Sequence, residues 1–332
     1  MTVPLSVLDL APIAPTGTVR ESLQASVTLA QAAERHGYRR VWYAEHHNMA
    51  TIASSATSVL IAHVAAHTST IRLGAGGVML PNHSPLSIAE QFGTLAELHP
   101  GRIDLGLGRA PGSDQTTARA MRRDARASDR FPEDVLELQG YLAGRSLVPG
   151  VQAVPGAGTR VPLYILGSSL FGAQLAAALG LPYTFASHFA PAALEQAVAT
   201  YRAQFRPSEQ LDAPYVVAAV NVIAADDADD AREQLRTRRR SWVKGMLSRG
   251  PGAPELSDEQ AETFLRTPDG LRLADMLRYS AVGTPDDVRA YLDDFARHAD
   301  ADELVVAFQS ADLQARLRSL EITAQATRGV PA

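Results

Sequence analysis

The chain has 332 residues, which fits either two ordinary domains or one α/β barrel. Its hydrophobic content of 46% indicates a globular protein with a large core, and its net charge of −5, without a long block of one sign, argues against a general affinity for nucleic acids or membrane surfaces. The absence of cysteine excludes disulfides, thiolate metal ligands and a thiol nucleophile.

The N-terminal stretch MTVPLSVLDL has no basic segment and only a short apolar run, so it is not typical of a signal peptide. No run in the sequence approaches the ~20 apolar residues that are needed to cross a bilayer. We therefore predict a soluble cytoplasmic protein.

Short apolar runs alternate along the chain with amphipathic stretches. Thr18 and Glu21 form a capping box that opens the first helix, and Ser84 followed by Pro85 marks the start of another. The apolar runs predict eight strands, at 3–10, 39–45, 70–80, 102–108, 161–167, 181–187, 214–225 and 303–308. A helix is predicted after each strand, among them helices at 54–67, 86–98, 131–143 and 192–205.

Eight strands that are each followed by a helix predict an α/β fold, a (β/α)8 TIM barrel that forms a single domain over residues 1–332. The alternative is a doubly wound open sheet. The alternation breaks once, at 245–282 after the seventh strand, where the connection is too long for a simple loop. We predict an insertion at the barrel mouth there, either a lid or a disordered surface loop. The charged runs 226–230 and 236–240 predict one solvated helix with its turn, to which we assign no function.

Glu45, His46 and His47 end the second predicted strand, and catalytic groups of such barrels lie at the carboxyl ends of the strands. Histidine suits proton transfer near neutral pH, so this cluster predicts a general base or a group that positions a ligand. The alternative is one buried structural histidine beside an exposed one. A metal site is not favoured, because adjacent histidines on an extended segment point opposite ways and no further ligands stand at a recognisable spacing.

The third strand carries glycines at positions 74, 76 and 77. Glycine weakens a strand interior unless a bulge, an unusual dihedral angle or a close approach requires it. Gly76 and Gly77 therefore predict either a bulge whose backbone lies against a flat ligand or a tight packing corner.

The fourth strand ends in RIDLGLGRAPGSD, in which Gly106, Gly108 and Gly112 are spaced G-x-G-x-x-x-G and do not meet the dinucleotide-binding fingerprint. Arg109 at the tip of this strand can bind a phosphate group through its forked donors. The alternative is an ordinary surface arginine.

The fifth strand ends in Leu166, Gly167, Ser168 and Ser169, directly before a helix. Two hydroxyl groups and free backbone N–H groups at a helix N-terminus predict a phosphate site, unless a serine simply caps the helix. Because the fourth and fifth strands are neighbours in a barrel, we expect Arg109 to join this turn, with Arg130 as a second positive charge.

Taken together, these segments resemble the bacterial luciferase-like flavin monooxygenase family, and the similarity is greatest to its single-gene members rather than to the light emitters. The resemblance covers nearly the whole chain in order. It rests on WYAEHH at 42–47, RLGAGGVMLPNHSPLSIAEQF at 72–92, GRIDLGLGR at 101–109, VPLYILGSS at 161–169 and AVGTPDDVRAYL at 281–292.

The resemblance implies roles for individual residues. His46 would handle protons, Glu45 would be a carboxylate near the flavin, and Gly76-Gly77 would form a non-proline cis peptide against the flavin ring. The remaining matches, to positions that bind the cofactor flavin mononucleotide (FMN) and chiefly its phosphate, are Arg109, Arg130, Leu166, Ser168 and Ser169.

Three positions depart from the pattern of luciferase itself. Gly108 replaces a reactive cysteine, and Pro111 removes a backbone N–H donor to the phosphate. Ser168 replaces an acidic residue, which should help phosphate binding. The first two departures argue against light emission and do not count against flavin binding.

The resemblance implies an FMN-dependent monooxygenase, in which oxygen adds to reduced FMN to give a peroxyflavin that oxygenates a small organic substrate beneath the 245–282 segment. A separate flavin reductase would supply the reduced FMN, since the chain has no nicotinamide fingerprint. Two alternatives are a deazaflavin-dependent hydride-transfer enzyme and a non-catalytic flavin-binding protein. The resemblance also implies a homodimer, and the small residues of the helices at 54–67 and 86–98 suit such an interface.

Overall fold

The computed structural model describes residues 3–110, 115–124, 126–247 and 256–327. Its sheet contains nine strands, all of them paired in parallel. The strands are β1 Leu5–Asp9, β2 Arg40–Tyr43, β3 Arg72–Met79, β4 Ile103–Gly108, β5 Leu163–Gly167, β6 Tyr183–Phe185, β7 Val216–Ala224, β8 Ser280–Gly283 and β9 Glu303–Phe308.

Eight of these strands close into a barrel. Strands β1 to β6 pair in sequence order, β6 pairs with β7, β7 pairs with β9, and β9 returns to β1. The predicted (β/α)8 barrel is confirmed. The doubly wound open sheet is wrong, because β7 and β9 connect β6 back to β1 and leave no open edge there. Strand β8 was not predicted from the sequence. Within this sheet it pairs only with the end of β7, outside the barrel.

Helices surround the barrel and follow the barrel strands as predicted. Thr18 caps the first helix, accepting a hydrogen bond of 3.2 Å from the amide of Glu21, whose carboxylate accepts one of 2.7 Å from the amide of Thr18. The helices are α1 Val19–Arg35, α2 Thr57–Ala65, α3 Pro85–Leu98, α4 Gln115–Ala120, α5 Phe131–Leu142, α6 Leu170–Leu179, α7 Leu194–Gln204, α8 Ala228–Leu247, α9 Asp258–Leu265, α10 Pro268–Asp275, α11 Pro285–His298 and α12 Leu313–Thr327. Within the described ranges, none of these helices is long and apolar enough to cross a membrane.

The predicted insertion at 245–282 differs from the structure at both ends. Its first residues still belong to α8, and its last residues, 280–282, belong to β8. Between them lie α9 and α10, and α9 is tied to α8 by a salt bridge of 3.1 Å between Arg240 and Glu262. That this segment covers the barrel mouth stays a prediction.

A group of charged and phenolic side chains fills the bottom of the barrel, where the strands begin. Arg40 donates hydrogen bonds to the carboxylate of Asp104 at 2.7 Å, to the hydroxyl of Tyr164 at 2.6 Å and to the carboxylate of Glu303 at 3.2 Å. Tyr215 also donates to Glu303, at 2.7 Å. These five residues, the floor cluster, lie at the end of the barrel opposite the catalytic rim and therefore serve stability.

Candidate functional site

Most of the predicted site residues lie at the carboxyl ends of the strands, on one rim of the barrel. Glu45 and His46 follow β2, the diglycine lies in the second half of β3, Arg109 follows β4, and Ser168 follows β5. A parallel barrel brings such ends together, because every strand runs in the same direction.

The carboxylate of Glu45 is the centre of a buried network. It accepts hydrogen bonds from His47 at 2.7 Å, from His83 at 3.0 Å, from the side-chain amide of Asn82 at 2.9 Å and from the backbone N–H of Met79 at 2.9 Å. We call these five residues the Glu45 cluster. Neither His83 nor Asn82 was predicted from the sequence, although both follow the third strand at the same rim.

The protonation of Glu45 is set by two opposing effects. Burial of the carboxyl group favours its neutral form, but the hydrogen bonds from His83, Asn82 and His47 outweigh burial and hold the pKa of Glu45 below its ordinary value. Glu45 is therefore ionised at neutral pH. Its two oxygens are already occupied by donors, which suits a group that orients the rim more than one that accepts a proton.

His46 lies next to this cluster but has a different environment. Its Nδ1 atom is buried and finds no hydrogen-bond partner within the described residues. Burial lowers the pKa of His46, and a hydrogen bond with the carbonyl of Ala44 and the charge of Glu45 only partly oppose this. His46 is therefore a neutral imidazole at neutral pH, with one ring nitrogen available.

A second buried histidine, His188, follows β6 and was not predicted. Its side chain is 8% exposed, and its Nδ1 atom likewise lacks a partner in the part of the chain that the structure describes. Burial, together with the positive charge that His46 would carry, lowers the pKa of His188 to about 4. The two imidazoles therefore lie close enough to influence each other. Nothing local in the sequence distinguishes His188 from a surface histidine.

The diglycine of β3 forms an irregularity in the strand. The peptide bond between Gly76 and Gly77 is cis, as the resemblance implies. The pairing of β3 with β4 shifts register between Ala75 and Val78, which is the predicted bulge.

Both glycines are also required by packing. A Cβ atom on Gly76 would lie 2.9 Å from the Cβ of Trp42 and 3.0 Å from Cδ1 of Leu8. A Cβ atom on Gly77 would lie 2.7 Å from the carbonyl oxygen of Gly106. The packing explanation of the diglycine therefore holds, and contact with a flat ligand stays a prediction.

Arg109 lies against the helix that follows β5. Its guanidinium carbon lies 4.0 Å from the centroid of the Phe171 ring, in the first turn of α6. Ser168 and Ser169 are exposed beside it, and Ser169 is the N-cap residue of α6 but makes no side-chain capping hydrogen bond. The alternative in which a serine caps this helix is thus not what the structure shows. Leu166 instead faces the barrel interior, where it packs on an apolar group that includes Trp42.

Arg130 does not converge on this turn. Its side chain is 73% exposed and forms a salt bridge of 3.3 Å with Asp134, one turn further along. Its segment does reach the tip of β4, because Ser128 donates a hydrogen bond of 3.4 Å to the carbonyl of Arg109. Pro111 lies outside the described residues.

No group of three or more histidine, aspartate or glutamate side chains in the described ranges is arranged to hold a metal ion.

Known proteins are similar to this chain over most of its length. A family model described as luciferase-like monooxygenase matches residues 3–302. A luciferase-like monooxygenase of Escherichia coli strain K12 is 50% identical over 97% of this chain and 96% of its own length. The N-acetyl-S-alkylcysteine monooxygenase of Bacillus subtilis is 36% identical over 79% of each chain. The crystal structure of apo-MsnO8 has a TM-score of 0.87 and 36% identity, covering 99% of this chain and all of the other.

Two more distant structures share the fold alone. The oxygenating constituent of 3,6-diketocamphane monooxygenase from Pseudomonas putida, solved with FMN, has a TM-score of 0.73 at 16% identity, covering 98% of this chain and 97% of its own. An F420-dependent secondary alcohol dehydrogenase has a TM-score of 0.70 at 16% identity, covering 99% of this chain and all of its own. The barrel alone is therefore compatible with flavin and with deazaflavin chemistry.

Proposed function

We propose, from the premise that this chain belongs to the luciferase-like monooxygenase family, that it is an FMN-dependent monooxygenase that uses reduced FMN and O2 to oxygenate a small organic substrate. Membership of the family makes the chain an oxidoreductase that incorporates oxygen. The cofactor, the partner proteins and the role of each residue are the parts that we propose.

The observation that carries the proposal is the open N-terminus of α6 beside Arg109. The side chain of Ser169 leaves the first-turn N–H groups of α6 uncapped, and the guanidinium group lies over Phe171 in the same turn. Backbone N–H groups at a helix N-terminus, two free hydroxyl groups and an arginine are the donors that a phosphate monoester requires. Ser168, Ser169 and Arg109 would therefore hold the FMN phosphate. Arg130 would join them only by leaving Asp134.

The diglycine and His46 would face the ring of the same cofactor. Gly76 is partly exposed and carries no side chain, and the Nδ1 atom of His46 is buried with no partner among the described residues. FMN, when bound in its reduced form, supplies the electrons that activate O2. His46, which is neutral at neutral pH, would accept or return a proton at Nδ1. Glu45 would act as a positioning residue, since it anchors His47, His83 and the backbone of Met79 around the ring.

Two partners follow from this proposal. The chain has no dinucleotide fingerprint, so a separate flavin reductase would supply reduced FMN. The chain would also form a homodimer through α2 and α3, which are joined by a hydrogen bond of 2.7 Å between Ser58 and Gln91. Val59 and Leu98 on these helices are 68% and 64% exposed, which supports a covering partner. The segment at 245–282 would close over the substrate.

The direct test is a cofactor titration without oxygen, followed by an oxygenation assay. Purified protein is titrated anaerobically with reduced FMN and, in parallel, with reduced deazaflavin F420. The proposal predicts tight binding of FMN alone. Air with ¹⁸O2 is then admitted in the presence of candidate substrates, starting with S-alkyl thioethers of the kind named for the Bacillus subtilis relative. One labelled oxygen atom in the product supports the proposal, whereas selective binding of F420 would replace it with hydride transfer.

A further inference from the structure

A cavity of about 630 Å³ lies on the side of the rim away from Arg109. It is bounded by the end of β1, by the segment 12–18, by α8 and by the residues that follow β9. Leu8 lines this cavity and is also the side chain that a Cβ atom on Gly76 would meet at 3.0 Å. Leu8 therefore stands between the cavity and the diglycine, and the cavity has the size of a small-molecule site.

Most of the cavity wall is apolar. Proline, aliphatic, methionine and aromatic side chains come from four separate elements of the chain, so the wall suits a hydrocarbon body. The apolar residues that matter most for this wall are Leu10, Pro12, Ile13, Ile52 and Trp242.

The wall of the cavity also contains a guanidinium group. Arg238 of α8 is partly buried there, lies 5.7 Å from the centroid of the Trp242 ring and donates a hydrogen bond from Nε to the side-chain oxygen of Gln309. Gln309 in turn donates a hydrogen bond of 2.8 Å to Asn221 of β7. This chain of contacts ties Arg238 to the barrel, although the sequence predicted that the run 236–240 is solvated. Burial lowers the pKa of Arg238.

No carboxylate compensates this charge within the described residues. Three carboxylates border the same cavity, but each is engaged elsewhere. Asp9 accepts a hydrogen bond of 2.6 Å from Ser26, Glu21 caps α1 by accepting from Thr18, and Asp312 accepts from the amide of Ala315. A partly buried guanidinium group without a counterion is unfavourable unless a ligand supplies one.

A second donor lines the same cavity. Ser310 follows β9, is 5% exposed, and its hydroxyl group finds no partner in the part of the chain that the structure describes. A buried hydroxyl group is expected to be hydrogen-bonded, so an acceptor is missing here. Among the described residues Ser310 lacks an acceptor and Arg238 lacks a carboxylate partner, and an anion with two or three oxygens could supply both.

We propose that the substrate of this enzyme is an organic anion, whose carboxylate or sulfonate binds Arg238 and Ser310 while its apolar body lies along Trp242 and the segment 12–15. The identification of this ligand as the substrate rests on the proposed monooxygenase function; the binding site itself does not. Gln309 positions the guanidinium group. The diglycine side of the cavity then receives the part of the substrate that is oxygenated.

Calorimetric titration of the full-length protein tests this proposal without turnover. Three probes share one hydrocarbon length: octanoate, octane-1-sulfonate and the neutral octanamide. We expect at least one of the two anions to bind at least tenfold more tightly than octanamide, which corresponds to about 1.4 kcal/mol. The probe that binds more tightly distinguishes a carboxylate site from a sulfonate site. Equal affinities for the three probes, or no binding of any of them, would overturn the proposal.

Variants show which residues produce the preference for the anion. Arg238→Gln should reduce the preference for the anion to less than twofold while the affinity for octanamide is unchanged, and Ser310→Ala should reduce it several-fold. Arg236→Gln is the matched control, because Arg236 lies on the same helix but is exposed and pairs with Glu233. Arg238→Lys keeps the charge and should keep most of the preference, which guards against a folding defect in the glutamine variant. A preference that survives in Arg238→Gln contradicts the assignment.

The same samples are titrated with FMN. If Arg238→Gln loses the preference for the anion but keeps its FMN affinity, the cavity is assigned to the substrate and not to FMN. Failure of the wild-type protein to bind FMN would defeat the monooxygenase proposal and leave the anion site standing, so the two ideas fail separately.

Discussion

The guanidinium group of Arg109 lies 4.0 Å from the centroid of the Phe171 ring, and this contact joins the tip of β4 to the first turn of α6. A side chain after one strand is thereby held beside the helix N-terminus that follows the next strand. Because a cation–π contact leaves the edge donors of the guanidinium group free, Arg109 can still bind an anion at the N-terminus of α6.

We expect the Arg109→Ala variant to bind FMN roughly 10- to 100-fold more weakly than the wild type, since a hydrogen bond to a charged group contributes about 1.5–3 kcal/mol. Quenching of flavin fluorescence on titration measures the dissociation constant. Arg297→Ala is a suitable control, because Arg297 is exposed and pairs only with Asp294 on α11 within the described residues. Unchanged FMN affinity in Arg109→Ala would show that the FMN phosphate does not bind at this turn.

His46 gives a prediction about turnover rather than binding. We expect His46→Gln to keep its FMN affinity within about twofold and to lose roughly 10²- to 10⁴-fold in the rate of product formation, the usual contribution of a general acid or base. Product formation and hydrogen peroxide release are measured together, with His63→Gln, an exposed histidine of α2, as the control. Because burial lowers the pKa of His46, the acid limb of the wild-type rate profile should lie below the ordinary histidine range. Full activity of His46→Gln would assign the proton transfer to another group.

The alternation of strands and helices was predictable, because it depends on hydrophobic periodicity within each segment. The rim position of Glu45, His46 and Arg109 followed from the fold, since catalytic groups of such barrels lie at the strand ends. The strand β8 was missed because its four residues, SAVG, carry too short a pattern to signal a strand.

The roles of Arg238 and His188 required the tertiary structure. Arg236 and Arg238 differ by two positions on α8, which places them about 200° apart around the helix axis. Arg236 therefore faces solvent while Arg238 faces Gln309. A run of arginines in the sequence does not show which of them is turned toward the barrel. His188 is buried where its loop packs against β7, whose Asn221 donates a hydrogen bond of 2.7 Å to the carbonyl of His188 from a distant part of the chain.

His188 makes a prediction about stability and pH. The folded protein holds the pKa of His188 at about 4, whereas an unfolded histidine titrates near its ordinary value of about 6.5. Between these values the unfolded state binds a proton that the folded state excludes, so the free energy of unfolding falls as the pH falls from about 6.5 to about 4. The contribution of this single group is roughly 3 kcal/mol across the window.

Urea unfolding at pH 7, 5.5 and 4 measures this loss. Other groups also titrate, so the relevant quantity is the difference between the wild type and His188→Gln, which lacks the titrating ring. We expect the variant to lose less stability than the wild type on acidification, with the gap closing above pH 7 apart from a constant offset. Parallel curves for the two proteins would show that His188 is not held neutral by burial.

The floor cluster gives the last prediction. Glu303→Gln removes one of the two carboxylates that neutralise Arg40, whose side chain is 1% exposed. Breaking a buried ion pair by removing one partner leaves an uncompensated charge, which is destabilising by about 3–5 kcal/mol. Because Asp104 still pairs with Arg40, we expect the loss in the free energy of unfolding to lie at the lower end of this range. A shift of the urea midpoint measures it. Glu209→Gln is the matched control: its two arginine partners are exposed, so solvent screens the interaction and the midpoint should barely move.

FMN affinity should be unchanged in both variants, since the floor cluster lies at the opposite end of the barrel from the rim. A stable Glu303→Gln protein with weakened FMN binding would contradict this separation between a stability end and a catalytic end of the barrel.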